Sequence, residues 1–183
     1  MRLARVRYRG TQFFHTLLAP LRPIDAAYAA ERLSLSEFAL FSRMSRAEQQ
    51  HAIAVCRALE TAGHRDPDLL TAALLHDVGK IHATPYLWDR VIAVLTEHYL
   101  PRRAIRWSRG EPRGWRRGFV IRAQHAAWGA ELAEQAGSSP RTVELIRAHH
   151  DPPGGDVALA ALQAADDGAT EVCKTIGEAV LWR

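Results

Sequence analysis

The sequence predicts an all-α protein. No stretch of useful length alternates apolar and polar residues as a strand would, and apolar residues recur at helical spacing through most of the chain. The periodic stretches are also bounded by helix punctuation: capping serines and aspartates, first-turn prolines and terminal glycines. With 183 residues and 48% hydrophobic content, the chain makes one globular domain over residues 1–183, with a sizeable core. A bundle of about eight helices is expected.

The opening segment pairs Arg2, Arg5, Arg7 and Arg9 with a short, interrupted apolar run, Phe13 to Leu18, and reads as a short helix packing on the domain. Pro20 and Pro23 break the chain, and Asp25 caps a short helix through Leu33. A further helix covers Ser36 to Met44, with Phe38, Leu40 and Phe41 facing inward. Ser45 followed by Glu48 is a capping box, and its helix runs to Gly63. There His51, Ala54, Val55, Ala58 and Ala62 form a stripe that places His51 on the core face.

Asp66-Pro67-Asp68 opens the next helix, and Leu69, Leu70, Ala73 and Leu74 continue it at helical spacing. His76 and Asp77 then emerge on or beside the apolar face, followed by Gly79, which could stop the helix, and Lys80, which could reach an anion. An unpaired carboxylate buried there is costly, so Asp77 needs a cation, a strong hydrogen-bond set or a raised pKa. The negative end of the helix macrodipole favours the cation. A capping carboxylate beside a core histidine is the alternative for this pair taken alone.

A helix is expected over about 86–100, ended by Pro101. The segment after it, Arg102 to Gly118, has no clean period and holds Trp107, Trp115, Pro112 and three glycines. It belongs to an insertion of about 84–118, a lid over an anionic ligand or an interfacial contact. The helical period returns from Phe119 to Gly137, with Ile121, His125, Trp128, Gly129 and Leu132 on one face. Gly129 would let another element approach closely. Ser139-Pro140 starts a helix ending in His149-His150 and stopped by Asp151-Pro-Pro-Gly-Gly. A last core helix, Asp156 to Asp167, carries Leu159, Leu162 and Asp166; Gly168 ends it, and 171–182 forms an amphipathic tail helix.

No stretch approaches the roughly 20 apolar residues of a membrane span. Cys56 and Cys173 suit neither a disulfide framework nor a zinc knuckle; each reads as a small core residue, and a cytoplasmic location is expected. The net charge of +4 is locally concentrated: Arg102 to Arg122 holds eight arginines and one acid, Glu111. This favours an anionic partner near the segment, whether a small phosphorylated substrate, nucleic acid or a membrane surface, and makes Arg116 and Arg117 candidate substrate contacts. A solvated basic loop is the plainer alternative.

Five helices thus each bring one or two candidate ligands to a shared core: His51, His76 and Asp77, His125, His149 and His150, and Asp166. Any one has an ordinary structural explanation; seven at once do not. Imidazole with carboxylate suits iron, manganese or zinc rather than calcium. Seven ligands exceed the needs of one tetrahedral zinc, which argues for two divalent ions. His15, His64, His82 and His98 fall outside this set.

His51, then His76-Asp77, then Asp166 resembles the signature of the HD-domain superfamily of metal-dependent phosphohydrolases, over roughly residues 45–168. His125 to Gly129 and the double histidine resemble its binuclear HD-GYP phosphodiesterase branch, although Asp-Pro-Pro-Gly-Gly stands where a Gly-Tyr-Pro segment would follow. Ala47 stands where some members carry a glutamate for a third metal. The resemblance implies that His51, His76, Asp77 and Asp166 hold one metal, with iron or manganese ahead of zinc. Asp77 would bridge to a second metal held by His125, His149 and His150, and Lys80 would contact the substrate phosphate. It implies hydrolysis of a phosphodiester or phosphomonoester of a nucleotide-like substrate by a hydroxide bridging the metals, with Asp77 and Lys80 catalytic. HD-type mixed-valent di-iron oxygenases show a similar pattern and are the alternative; His150, as one ligand more, leans towards hydrolysis. A module that keeps the fold without turnover would lack ligands, and this chain has the full set.

Overall fold

A computed structural model describes residues 23–82 and 106–181 of the chain. Every regular element among these residues is helical: seven α-helices and two 3₁₀ turns. The helices are α1 (Ala26–Ala30), α2 (Leu35–Arg43), α3 (Arg46–Thr61), α4 (Pro67–Leu75), α5 (Arg117–Gln135), α6 (Pro140–Ala148) and α7 (Val157–Leu181). The 3₁₀ turns are Val78–His82 and Gly114–Arg116. The expected opening helix and the helix over 86–100 lie outside the described residues, as do His15 and His98.

The helix starts lie where the sequence puts them. Asp25, Ser45, Asp66 and Ser139 each accept a backbone N–H of their own first turn, and Pro67 and Pro140 occupy first-turn positions where no donor is lost. Ser34 with Glu37 forms a second capping box ahead of α2, which starts at Leu35, one residue before the expected Ser36. No break occurs at Gly168. The expected core helix and tail helix are one continuous helix, α7, because a lone interior glycine costs a helix only about 1 kcal/mol while the residues on both sides support it.

Helix α4 is the centre of the packing. Leu69 through Leu75 are all buried, including the residues on its outward turns, so the helix is covered on every side. α3 packs on one side of it and α6 on another; α7 lies along α3, while α5 crosses both α6 and the 3₁₀ turn that follows α4. One contiguous apolar cluster fills the space between them, with Phe41, Leu59, Leu74, Leu75, Leu145 and Leu162 among its members. Cys56 belongs to it, as expected of a small core residue; the Cys173 side chain lies outside the described set.

The core face of α3 is Ala52, Ile53, Val55, Cys56 and Leu59, rotated from the stripe read off the sequence, and Ala62 is exposed. Small alanines on several faces make the period ambiguous, and the large apolar residues decide it. His51 therefore stands at the border of the core, half-buried.

The segment from Arg106 to Arg116 folds back on α5. Trp107, Trp115 and Phe119 pack edge to face, with Trp107 and Trp115 ring centroids 4.7 Å apart. Gln124 donates to the carbonyls of Ser108 and Gly110, and Arg116 to those of Trp107 and Arg109. None of the described helices is long and apolar enough to cross a membrane.

Candidate metal centre

Five helices meet here, and two of them, α4 and α6, end at the cluster. α4 stops at Leu75, leaving His76 as its C-terminal cap and Asp77 just beyond; both are buried, His76 1% and Asp77 6% exposed. α6 stops at Ala148 with His149 as its cap. α5 carries His125 in mid-helix, pressed against the turn after Asp77 by two facing glycines. α7 presents Asp166 to His51 of α3, with Asp166 Oδ1 2.7 Å from His51 Nε2.

The seven side chains singled out in the sequence are gathered. His51, His76 and Asp77 form one group whose ligand atoms lie within 4.8 Å of one another, and His125, His149 and His150 form another. Asp166 joins the first group through His51 and lies 3.9 Å from His76 Nε2. The Asp77 carboxylate faces both: Oδ2 is 3.7 Å from His76 Nε2, and Oδ1 is 3.4 Å from His125 Nε2. His150, at the outer edge and exposed, brings its Nε2 to 3.1 Å from that of His125.

Backbone carbonyls set the tautomers. His76 Nδ1 lies 2.9 Å from Ala73 O, His125 Nδ1 2.9 Å from Ile121 O, and His149 Nδ1 2.7 Å from Ile146 O. A carbonyl only accepts, so each Nδ1 carries the hydrogen and each Nε2 presents a lone pair to the cluster. Every one of these carbonyls belongs to the histidine's own helix, three or four residues earlier, so the local helix orients the ligand nitrogen.

The result is a concentration of electron-rich atoms with too few hydrogens between them. The Nε2 atoms of His76 and His149 are buried without a hydrogen-bond partner, and lone pairs of His76 and His125 turn toward Asp77 oxygens. Left so, each orphaned buried nitrogen costs about 1–3 kcal/mol. Cations between these atoms would remove the cost, and a set of imidazole nitrogens and carboxylate oxygens suits iron, manganese or zinc.

Protonation favours the same use. Burial, followed by the neighbouring His76 and His150, pushes His149 down to about 3, and burial with His125 pushes His150 to about 4. Burial likewise lowers His76. Burial by itself would raise Asp77, but the ammonium of Lys80, ion-paired with Oδ2, together with the neighbouring His76 and His125 outweighs it and holds the carboxyl well below its usual range. For Asp166 the hydrogen bond from His51 and the nearness of the His76 and His51 rings together overcome the raising effect of burial. At neutral pH, neutral imidazoles and ionised carboxylates are the forms a metal requires.

Lys80 is partly exposed, its side chain 22% accessible, and so reaches from Asp77 to solvent. Arg116 and Arg117 are not among the residues gathered here. The Arg116 guanidinium is engaged with carbonyls of its own loop, and Arg117 opens α5 about two turns before His125. His82 rests its ring on the edge of Trp128, centroids 5.7 Å apart, outside the cluster, and His64 follows α3 at the far end of that helix. One contributor escaped the sequence reading. Gln163, one turn before Asp166 on α7, donates through Nε2 to the carbonyls of His149 and Asp151. Its signal was an amide three residues from a candidate ligand on the otherwise apolar stretch 157–165.

Fold and site together define a helical domain built around a buried His/Asp cluster of metal-ligand chemistry. The chain belongs to the HD domain family, which it matches over residues 49–178 and which is typical of metal-dependent hydrolases. No curated protein and no solved structure matches it.

Proposed function

We propose that this protein is a metal-dependent phosphohydrolase that hydrolyses a phosphodiester or phosphomonoester of a small, nucleotide-like substrate. The observation that carries the reading is the position of Asp77, one carboxylate with an oxygen turned to each of two ligand groups. His51, His76, Asp77 and Asp166 would hold one divalent cation; Asp77 with His125, His149 and His150 would hold the other. Iron and manganese are the first candidates and zinc the third. Such a pair supplies an activated water and neutralises charge developing on phosphorus-bound oxygens.

The chain's own residues do the rest. Carbonyl-anchored imidazoles keep the ligand nitrogens aimed without reorganisation, which is the form of preorganisation that favours a charged transition state. Lys80, on the rim of the cluster, is placed to exchange its bond to Asp77 for one to a phosphate oxygen. The arginine-rich stretch from Arg102 to Arg122 adds a positive field that draws an anionic substrate, and offers a contact for nucleic acid or a membrane surface. Among HD proteins, the double histidine and the HD-Val-Gly-Lys run support the binuclear HD-GYP-like branch, without its Gly-Tyr-Pro segment.

His150 supports hydrolysis over the oxygenase alternative, since a further nitrogen at 3.1 Å from His125 Nε2 leaves less open coordination for dioxygen. The test is metal analysis of protein purified without added metal, with a phosphoester panel run on wild type and Asp77→Ala. About two equivalents and phosphoester turnover are expected for wild type, with near none of either for the variant. A dioxygen-dependent product from the ferrous protein, with no phosphoester turnover, would overturn the proposal.

A further inference from the structure

The end of α6 is an unusual place to fix two ligands. His149 is the C-terminal cap, its ring oriented by Ile146 O of its own helix, whereas His150 lies beyond the helix. The chain closes with a single turn bond, Asp151 N to Ala148 O at 2.7 Å, then leaves through Pro152 and Pro153 to Gly154 and Gly155, both with positive φ. Neither glycine sits where it could cap α6. Gln163 performs that task from another helix: its Nε2 donates to His149 O at 3.1 Å and to Asp151 O at 2.7 Å, on both sides of His150. Two carbonyls accept from the same nitrogen, so the amide orientation is settled by chemistry.

Gln163 and Asp166 are three residues apart and therefore neighbours on one face of α7. One turn of this helix thus touches both ligand groups: Asp166 bonds His51 in the first, and Gln163 pins the backbone around His150 in the second. His150 is the most exposed of the seven side chains and has the least packing to orient it.

We propose that Gln163 is a positioning residue for the His125, His149 and His150 group, holding the turn that brings His150 Nε2 beside His125 Nε2 and thereby setting cation affinity there. The inference rests on reading these three histidines as a cation-holding set. It predicts that the amide acts through His150, not through general stability.

The test is calorimetric titration of metal-free protein with Mn²⁺ in a His51→Ala background, which leaves the His125 group as the intact one. Gln163→Met, close in size but without donors, should weaken binding about tenfold, the lower end of what outer-shell hydrogen bonds contribute. Gln163→Asn, which keeps the amide but falls one methylene short, should show a smaller loss and serves if the methionine variant does not fold. Adding Gln163→Met to His150→Ala should cost less than twofold, since the group it positions is gone. Unchanged affinity in Gln163→Met, or an equal loss with and without His150, would overturn the inference and leave the hydrolase reading intact. No Mn²⁺ binding in the His51→Ala parent would instead overturn the cation-holding reading and, with it, this role for Gln163.

Discussion

Gly79 and Gly129 meet backbone to backbone across the interface between the turn after α4 and the middle of α5. A Cβ on Gly129 would lie 3.2 Å from Gly79 N, and one on Gly79 would lie 2.6 Å from Gly129 N and 1.9 Å from His125 O. This contact sets the distance between Asp77 and His125, and so between the two ligand groups. Gly79 does not have a positive φ. Its expected role as a helix stop is replaced by one of close approach, because the chain passes from α4 into a 3₁₀ turn whose backbone must touch α5.

Gly79→Ala should therefore separate α5 from the turn. A clash with backbone atoms has no flexible side chain to absorb it, so the cost should reach about 3 kcal/mol, the upper range for overpacking. Gly129→Ala meets its neighbours at 3.2–3.4 Å and should cost about 1 kcal/mol. Urea denaturation measures both. Equal stability of the two variants would contradict the asymmetry.

Lys80→Met should lower kcat/KM on phosphoesters by about 10²-fold, the scale of losing one preorganised charge contact in the transition state. Metal content should be unchanged, since the lysine is no ligand. A variant that loses metal together with activity would show that Lys80 serves the cluster's assembly instead.

Acid should destabilise the metal-free protein from about pH 6.5 downward. Above that pH a histidine is neutral whether the chain is folded or not, so no proton uptake accompanies unfolding. Below it the unfolded chain takes up protons that folded His149, held down to about 3, refuses, and stability falls as pH falls. Each such group contributes about 1.4 kcal/mol per pH unit, and exposed His150, held to about 4, a discounted share. Melting curves between pH 7.5 and 5 should show the decline, and His149→Gln should reduce its slope. A flat profile would mean that the ring is not buried in its neutral form.

Arg116→Ala should leave KM for small phosphoesters within about twofold, because its guanidinium is committed to loop carbonyls and makes no contact at the cluster. Limited proteolysis between Arg106 and Arg116 should accelerate instead, as the loop loses two donors. A large rise in KM would place the arginine at the substrate.

Much of the architecture was legible in the sequence because its signals are local. Ser45 with Glu48, Asp66 with Pro67 and Ser139 with Pro140 act within one helical turn, and their physics does not depend on the rest of the fold. The spacing of Leu69, Leu70, Ala73 and Leu74 likewise marked α4 as a helix. Asp77 stood out for the same kind of reason: a carboxylate at the end of such a helix requires a partner wherever the helix packs.

Other features were decided only in three dimensions. Which face of α3 is buried followed from where α4 and α7 lie, and this left His51 at the edge of the core. That α7 runs through Gly168, that Gly79 answers to α5 and that Arg116 spends its charge on its own loop all depend on neighbours distant in sequence. The sequence by itself determined the all-α class, most of the helix starts and the seven candidate ligand residues. Only the tertiary structure turned one Asp77 oxygen to each of the two groups that the family resemblance implies, and brought the Gln163 amide to the carbonyls on both sides of His150. Capping and periodicity act over a few residues, whereas the aim of a nitrogen or a carboxylate oxygen is set by contacts between helices that the chain brings together only on folding.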